Sequence, residues 1–490
     1  MNDKIIADGI TFDDVLLVPA RSNLDARRVD MSTHLTRNIS LNIPLVSAPM
    51  DTVTNASLAI ALAQEGGIGI IHRNCYKEAQ ALEVEKVKRS ENGIITDPIT
   101  LVPTESTARA RELMAERNVS GFPIVEGGDH GKVIGILTRR DMKFLSADTQ
   151  IAEVMTCENL VTAPPNTSLD DAEQILNRAK VEKLLLVDSD GCLAGLITMR
   201  DMEKLRQFPR SCKDSRGRLR VGAAVGVCDY ERTQMLIDRE VDVIVVDTSH
   251  GHKDIVMETV RQIKAQCDID VIAGNIATAA AAEDLIAAGA DGLRIGIGPG
   301  AICTTRVVTG VGVPQITAVH DTAAVGDANG VPVIADGGIR HSGDMAKALV
   351  AGASSVMLGS LFAGLEESPG ELVIYKGRRF KTYRGMGSMD AMLAGSADRY
   401  GQDGVNRNKL VPEGVEGRVA YRGTLADFVH QMLGGIRSCM DHCGADTIEK
   451  LRTEGRFLRI SHATLVESHP HDITITHEPP NYSVGLPTEE

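Results

Sequence analysis

Residues 292–306 read Gly-Leu-Arg-Ile-Gly-Ile-Gly-Pro-Gly-Ala-Ile-Cys-Thr-Thr-Arg. A short apolar segment, Gly292–Ile297, runs directly into glycines at alternate positions. Such glycines tolerate positive φ and let the backbone approach a ligand or ion closely. Cys303 follows, and Arg306 comes three residues later. A thiol on a glycine-rich loop beside a cation favours the nucleophilic thiolate, although a buried structural cysteine in a tight turn is the alternative.

The same pattern, a short apolar run that ends in polar or glycine-rich residues, recurs along the chain. Helical patterns separate most of these runs, and their continuous apolar character is typical of parallel strands covered on both faces. Eight such units predict an α/β fold, a (β/α)8 barrel, whose strand ends share one mouth where the active site lies. An open dinucleotide-binding sheet is the alternative, but the glycines lack the following helix and the distant acidic residue of its fingerprint. The predicted strands are 44–50, 67–71, 221–227, 243–246, 270–273, 292–296, 331–335 and 355–358.

Composition limits the classes of function. The 490 residues are too many for one core and carry a net charge of −14, which argues against general nucleic-acid binding. No apolar run is long enough to span a bilayer, and no signal segment is recognisable at the start. Nine scattered cysteines fit reduced thiols. We therefore expect a cytoplasmic protein without membrane contact.

Residues 93–206 interrupt the barrel pattern and contain an internal repeat. Thr138-Arg-Arg-Asp-Met-Lys-Phe-Leu recurs 60 residues later as Thr198-Met-Arg-Asp-Met-Glu-Lys-Leu. The copies span about 93–146 and 151–206, and we expect a helix after each Thr-x-Arg-Asp sequence. The pair resembles tandem cystathionine-β-synthase (CBS) modules, which implies purine nucleotides such as ATP or GTP as effectors. Thr and Asp that merely cap a helix are the alternative. The catalytic barrel is then assigned to residues 1–92 and 207–490.

Two further strand ends and a long segment complete the predicted site. Asp336-Gly337-Gly338 and Gly359-Ser360 follow the seventh and eighth strands, where barrels commonly bind phosphate through backbone N–H groups. Residues of about 376–423 have little apolar periodicity and are predicted to form a long loop or mobile lid, with a disordered insertion as the alternative. The lid contains Asp398-Arg399-Tyr400 and Glu413.

With these motifs assembled, the chain resembles the inosine-5′-monophosphate (IMP) dehydrogenases over about residues 10–483. The resemblance is carried by the Gly296–Arg306 loop, Tyr383-Arg-Gly-Met-Gly387, Asp398-Arg-Tyr400, Glu467-Ser-His469 and the inserted CBS pair. It implies NAD-dependent oxidation of IMP to xanthosine 5′-monophosphate (XMP) through a covalent bond to Cys303, followed by hydrolysis. That reaction is the committed step of guanine nucleotide synthesis in the family.

The resemblance also implies a role for each site residue. Catalytic roles fall to Cys303, Arg399, Tyr400 and Thr305, and NAD binding falls to Asp247, Thr248, Ser249, Gly296, Ile297 and Gly298. A potassium ion is implied at Gly298, Gly300 and Cys303, completed by Glu467, Ser468 and His469 of a neighbouring subunit, and hence a homotetramer that the CBS pair could join into an octamer. Substrate binding falls to Ala301, Asp336, Gly337, Gly338, Gly359, Ser360, Tyr383, Arg384, Gly385, Met386, Gly387 and Glu413.

One departure and two alternatives accompany this interpretation. The family usually has serine, not Ala301, at a contact to the nucleotide phosphate, so we expect weaker nucleotide binding with intact chemistry. Guanosine-5′-monophosphate (GMP) reductase shares the barrel and the cysteine, but normally lacks the inserted pair and the Arg-Tyr sequence of the lid. A catalytically silent nucleotide-sensing or filament-forming protein is the other alternative.

Overall fold

The computed structural model describes residues 4–25, 28–90, 95, 98–117, 119–128 and 131–482. These divide into two compact units. The first comprises Met1–Lys88, Arg210–Cys212 and Arg220–Glu490, and the second comprises Arg89–Pro209 and Lys213–Leu219. No helix in the described ranges is both long and apolar enough to cross a bilayer.

Up to residue 90, the elements are β1 (Val15–Leu17), β2 (Thr33–His34), β3 (Ser40–Leu41), β4 (Leu45–Ser47), α1 (Ala56–Gln64), β5 (Ile68–Ile71) and α2 (Lys77–Ser90). The second unit contains α3 (Thr107–Arg117), β6 (Gly121–Glu126), β7 (Lys132–Thr138), β8 (Thr162–Ala163), α4 (Leu169–Ala179), β9 (Lys183–Val187), β10 (Leu193–Thr198) and α5 (Met199–Gln207). Next come β11 (Val221–Val225), α6 (Tyr230–Ile237), β12 (Val243–Asp247), α7 (Asp254–Gln266), β13 (Asp270–Ile276), α8 (Ala279–Ala287), β14 (Gly292–Ile295), α9 (Thr305–Thr309), α10 (Gln315–Asn329), β15 (Val333–Asp336), α11 (Ser342–Val350), β16 (Ser355–Leu358) and α12 (Ser360–Ala363). The last are β17 (Leu372–Tyr375), β18 (Arg378–Arg384), α13 (Met389–Ala394), β19 (Glu416–Ala420), α14 (Leu425–His442), α15 (Ile448–Glu454), β20 (Phe457–Arg459) and α16 (His462–Glu467).

The predicted (β/α)8 barrel is confirmed. Strands β4, β5 and β11–β16 pair in parallel, and β16 closes the ring on β4. Aliphatic side chains such as Val243, Val245, Ile272 and Ile334 fill the buried core. This apolar interior explains why the strands read as continuous hydrophobic runs, since helices cover their other face. The polar residues at the carboxyl ends of the strands, including Asp247 and Asp336, consequently meet at one mouth.

The lid contains more regular structure than we expected from its composition. Strands β17, β18 and β19 form a three-stranded antiparallel sheet, with Tyr383 opposite Gly417 and Arg384 opposite Glu416. Between β18 and β19 lie α13 and two short 3-10 helices, Ser396–Tyr400 and Arg407–Lys409. The expectation of a long loop throughout residues 376–423 was wrong at both ends. Strand β18 carries four arginine and lysine side chains and β19 is mostly exposed, so neither strand shows clear hydrophobic patterning.

The second unit consists of two similar halves. Helix α3 with β6 and β7 encloses one hydrophobic cluster, and α4 with β9 and β10 encloses another. The helix expected after Thr138 is absent, and residues 139–144 form a turn instead. The Asp141 carboxylate accepts hydrogen bonds from the Thr138 N–H and hydroxyl, both at 2.7 Å, and Phe144 adopts a left-handed φ of 68°. In the second half α5 does follow Thr198, although the side chain of Asp201 lies outside what the structure describes.

Candidate active site

One cavity opens at the carboxyl ends of the barrel strands and gathers most of the predicted site. Two barrel residues without a predicted role, Asn275 and Arg294, also line it. Seven predicted residues do not line it, namely Asp247, Thr248, Arg384, Gly387, Glu467, Ser468 and His469. Those that do are Ser249, Gly296, Ile297, Gly298, Gly300, Ala301, Cys303, Thr305, Asp336, Gly337, Gly338, Gly359, Ser360, Tyr383, Gly385, Met386, Arg399, Tyr400 and Glu413.

The loop that carries Cys303 is held by its own backbone and by Arg306. The Cys303 N–H donates to the Gly300 carbonyl at 3.1 Å, and its thiol donates to the Thr305 hydroxyl at 3.1 Å. The Arg306 guanidinium donates to the carbonyls of Ile297 and Val313 at 3.0 and 2.6 Å. Arg306 therefore stabilises the loop through hydrogen bonds to its backbone, while Cys303 lines the cavity.

The lid is docked onto this loop. The N–H of Thr304 donates to the Glu413 carbonyl at 2.9 Å, and the N–H of Val415 donates to the Ile302 carbonyl at 3.0 Å. Gly387 packs so closely on Tyr400 that an added Cβ would lie 2.7 Å from its ring. The lid thus packs against the loop that carries Cys303 in the conformation described.

Asp247 is the centre of a buried network of charges. It forms ion pairs with Arg399 of the lid and, at 2.5 Å, with Arg294 of β14. Burial alone would raise the pKa of the Asp247 carboxyl, but the attraction of Arg399, Arg294 and Arg73 outweighs burial and lowers this pKa to about 2. Burial alone would lower the pKa of Arg399, but the nearby Asp247 carboxylate more than offsets that effect and raises this pKa. Both groups are therefore charged at neutral pH.

Two of the residues expected to bind the dinucleotide, Asp247 and Ser249, contact the lid. The Ser249 hydroxyl donates to the Arg399 carbonyl at 2.9 Å, beside the Arg399–Asp247 ion pair. The Thr248 hydroxyl instead donates to the carbonyl of Gly274 in the barrel at 2.8 Å. The lid and a ligand at Asp247 and Ser249 would accordingly compete for the same polar groups.

Asp336 is oriented by two side chains for which the sequence predicted no binding or catalytic role. Arg294 donates to the Asp336 carboxylate at 2.9 Å, and the Asn275 amide donates to it at 2.8 Å. The Asn275 oxygen is buried without a hydrogen-bond partner, so it is free to accept a hydrogen bond from a ligand hydroxyl. Arg294 could have been found from the sequence, because a charge within an apolar strand requires a buried counter-charge.

The remaining cavity wall has features that suit a mononucleotide. Gly337 and Gly338 have φ values of 92° and 79°, a conformation in which successive N–H groups can form an anion-binding concavity. Tyr383 is buried, and burial raises the pKa of its phenol. Ala301 is exposed to the cavity and offers it only a methyl group.

The other predicted residues lie beside the cavity or away from it. Arg384 is paired with Asp51 through contacts of 2.6 to 3.2 Å, which tie β18 to the barrel. At the end of α16, the Ser468 hydroxyl donates to the Thr464 carbonyl at 2.7 Å. There His469 Nδ1 lies 3.0 Å from the Tyr482 hydroxyl. This C-terminal segment was expected to act on a neighbouring subunit.

The Cys303 loop offers oxygen ligands of the type that bind a monovalent cation. They are backbone carbonyl oxygens, hard ligands of the kind that alkali cations accept. The Gly300 carbonyl already accepts one hydrogen bond from Cys303, which leaves its second lone pair. Among the described residues, no group of three or more His, Cys, Asp or Glu side chains is arranged to bind a metal. Backbone carbonyls would thus be what this loop contributes to a cation site.

A closed parallel barrel with a thiol, a paired carboxylate and a docked lid at its mouth has the architecture of a barrel enzyme whose active site lies at the carboxyl ends of the strands. The family described as "IMP dehydrogenase / GMP reductase domain" matches residues 9–471. The chain is 58% identical to inosine-5′-monophosphate dehydrogenase of Rhodopirellula baltica, over 98% of this chain and 90% of that protein. It is 56% identical to the enzyme of the same name from Halalkalibacterium halodurans, over 98% and 99%. The chain therefore belongs to the IMP dehydrogenase and GMP reductase family.

Solved structures add a correction. A GMP reductase from Trypanosoma brucei in complex with guanosine 5′-monophosphate matches with a TM-score of 0.87 and 41% identity, over 96% of this chain and 100% of that one. A second, in complex with guanosine 5′-triphosphate, matches with a TM-score of 0.77 and 37% identity. Because coverage of 96% of this chain must include the inserted unit, this reductase also has an insertion, and the insertion by itself does not distinguish dehydrogenase from reductase.

Proposed function

We propose that this chain oxidises IMP to XMP with NAD⁺ as the hydride acceptor. The observation that supports this most is the docked lid, because it pairs Arg399 with Asp247 and places Arg399 in the wall of the cavity that Cys303 also lines. A reaction that ends in hydrolysis needs a polar side chain, such as Arg399, to enter the site after the reduced dinucleotide has left. The identity of 58% to a protein named as the dehydrogenase supports the same choice.

The first half of the reaction is a redox step. The Cys303 thiolate adds to C2 of the hypoxanthine ring, and the hydrogen on C2 leaves as hydride to NAD⁺, which gives NADH and a thioimidate. Asp336 would hold the ribose hydroxyls, with Asn275 accepting a second hydrogen bond. Gly337, Gly338, Gly359 and Ser360 would surround the phosphate. Covalent attachment divides one difficult oxidation and hydration into two easier steps.

The second half is hydrolysis under the lid. Water adds to C2, the carbon–sulfur bond breaks, and XMP and the Cys303 thiolate are released together with one proton. Arg399 and Tyr400 would approach the reacting carbon from the lid. Because Asp247 raises the pKa of Arg399 above what burial alone would give, a role for Arg399 as base requires that this ion pair loosen. Thr305, hydrogen-bonded to the Cys303 thiol, together with Glu413 is the alternative route for the proton.

A monovalent cation, K⁺, is part of this proposal. The carbonyls of Gly298, Gly300 and Cys303 would hold it, with Glu467, Ser468 and His469 from a neighbouring subunit in a homotetramer. When bound, the ion supplies a fixed positive charge that organises the loop around the nucleophile. Arg306 braces the other side of the same loop.

The second unit is proposed to bind purine nucleotides as effectors, as a CBS pair. It has a cleft lined by Thr138–Asp141, Asn159–Val161 and Lys180–Lys183, together with Lys143 and Arg200. The basic side chains that line the cleft outnumber the acidic ones, Asp141 and Glu182, which suits a polyphosphate. Joining of tetramers into octamers through this unit belongs to the same proposal.

GMP reduction is the second candidate, because two solved relatives that share the whole architecture carry that name. The test is a pair of assays on one preparation. With IMP, NAD⁺ and K⁺ we expect NADH absorbance to rise, and with GMP and NADPH we expect no consumption of NADPH. The reverse pattern would establish the reductase, and silence in both would favour a protein that only senses nucleotides.

A further inference from the structure

The lid presents two adjacent residues of opposite charge, and each meets an opposite charge of the barrel. Arg399 pairs with Asp247 at the end of β12. Asp398 pairs with Arg73, which follows β5, with 2.7 Å between Nη1 and the carboxylate. The two contacts involve different barrel strands and opposite polarities, so they form a two-point attachment.

Asp398 and Arg73 are well placed to act as a latch. The Arg73 side chain is only 12% exposed and that of Asp398 is 35% exposed, so water screens their attraction less than at an open surface. The other carboxylate oxygen of Asp398 accepts a hydrogen bond from the Arg399 N–H at 2.7 Å. Asp398 therefore also fixes the backbone from which Arg399 reaches Asp247.

The charges balance both with the lid docked and with it withdrawn. The docked network contains Arg73, Arg294 and Arg399 against Asp247, Asp336 and Asp398. Withdrawal of the lid removes one charge of each sign and leaves two of each in the barrel. Arg73 then retains Asp247, whose carboxylate lies 3.9 Å from its Nε. Loss of the Asp398 charge alone would leave an unbalanced cation only in the docked state.

We propose that the Arg73–Asp398 ion pair is a latch that sets how much of the time the lid is docked, with Asp398 as a positioning residue for Arg399. This inference rests on the proposed function, because docking and dinucleotide binding compete for Asp247 and Ser249. Weakening the latch favours the open lid. The rate of the redox half then stays the same, whereas the rate of hydrolysis falls. Weakening the latch also increases the apparent affinity for ligands of the dinucleotide site.

The test compares Asp398→Asn with Asp403→Asn, the same change at an exposed lid residue five positions away. Stopped-flow absorbance with IMP and NAD⁺ measures the first turnover as a burst of NADH and hydrolysis as the steady-state rate. For Asp398→Asn we expect a burst of undiminished rate and a steady-state rate lower by about fivefold, the effect of losing one partly exposed ion pair. The thioimidate should accumulate in rapidly quenched samples, and the KM for NAD⁺ should fall.

Two further variants separate the outcomes. Asp398→Glu restores the charge and should recover most of the steady-state rate, whereas Asp403→Asn should behave as the unaltered protein. Equal burst and steady-state behaviour of Asp398→Asn and the unaltered protein would overturn the latch. Absence of any burst in the unaltered protein would instead overturn the proposed function, so the two failures are distinguishable.

Discussion

Asp247 is a buried carboxylate that stays ionised because cations surround it, and one of those cations, Arg399, belongs to the lid. Desolvation of a carboxylate is expensive, and the cost is offset here by three guanidinium groups, one of which the lid supplies. Asp247 and Arg399 are therefore mutually dependent, since neither keeps its full set of partners once the lid leaves. Asp247, which is expected to bind the dinucleotide, is thus also the residue that pairs with Arg399 of the lid.

A pH dependence follows from the lowered pKa of Asp247. A carboxyl whose pKa is lower in the folded than in the unfolded state contributes stability that is present above its ordinary value of 3.8 and lost as the pH falls towards 2. We expect the free energy of unfolding to fall across this range more steeply than in Asp247→Asn. Denaturant titrations at several pH values measure it, and parallel curves for the two proteins would contradict the assignment.

Ala301 provides a test of the phosphate site at the residue scale. In Ala301→Ser we expect the KM for IMP to fall by about tenfold or more, the effect of one hydrogen bond to a charged group, with kcat unchanged. Ala301→Gly adds no donor and serves as the control. A KM for IMP that does not respond to the serine would place the phosphate elsewhere.

At the scale of elements, the glycine loop must fit against β15. Gly296 has a φ of 145°, and an added Cβ would clash with the Asp336 carbonyl oxygen. Gly310 also has a positive φ, 73°, but open space surrounds it. We expect Gly296→Ala to abolish turnover by displacing the Cys303 loop, whereas Gly310→Ala costs about 1 kcal/mol of stability and keeps activity. Steady-state rates with thermal unfolding check both, and similar activity in the two variants would contradict the argument.

The elements that the sequence predicts well are those whose own residues determine them. The eight barrel strands were predictable because each is a short apolar run ending in polar residues. The lid strands β18 and β19 were not, because their pairing, such as Tyr383 with Gly417, joins segments over thirty residues apart that show little hydrophobic patterning. The turn after Thr138 also escaped prediction, since its side-chain bonds to Asp141 replace the start of a helix.

The candidate site divides in the same way. Cys303, Asp336 and the glycines were identifiable because loop chemistry and strand position point to them directly. Asn275 and Arg294 were not assigned, because their importance lies in contacts with Asp336 and Asp247 across neighbouring strands. The Arg73–Asp398 pair spans 325 positions in sequence, a separation at which no local pattern indicates contact.

At the scale of the whole molecule, the second unit can be tested on the intact chain. Arg139 and Arg140 line the cleft of that unit, and we expect Arg139→Gln with Arg140→Gln to weaken ATP or GTP binding by about tenfold through lost phosphate contacts. Isothermal titration calorimetry measures it. Arg109→Gln, on α3 of the same unit and paired with Glu112, is the control. Unchanged affinity in the double variant would place the effectors elsewhere.

The central claim is that Cys303 forms a covalent bond to C2 of IMP while hydride passes to NAD⁺. The most direct measurement is rapid chemical quench of the intact protein with IMP and NAD⁺, followed by peptide mass spectrometry. We predict that the peptide containing Cys303 gains the mass of an IMP thioimidate at the same rate at which NADH appears, and that Cys303→Ser shows neither. Formation of NADH without an adduct on Cys303, or an adduct on another cysteine, would contradict the account.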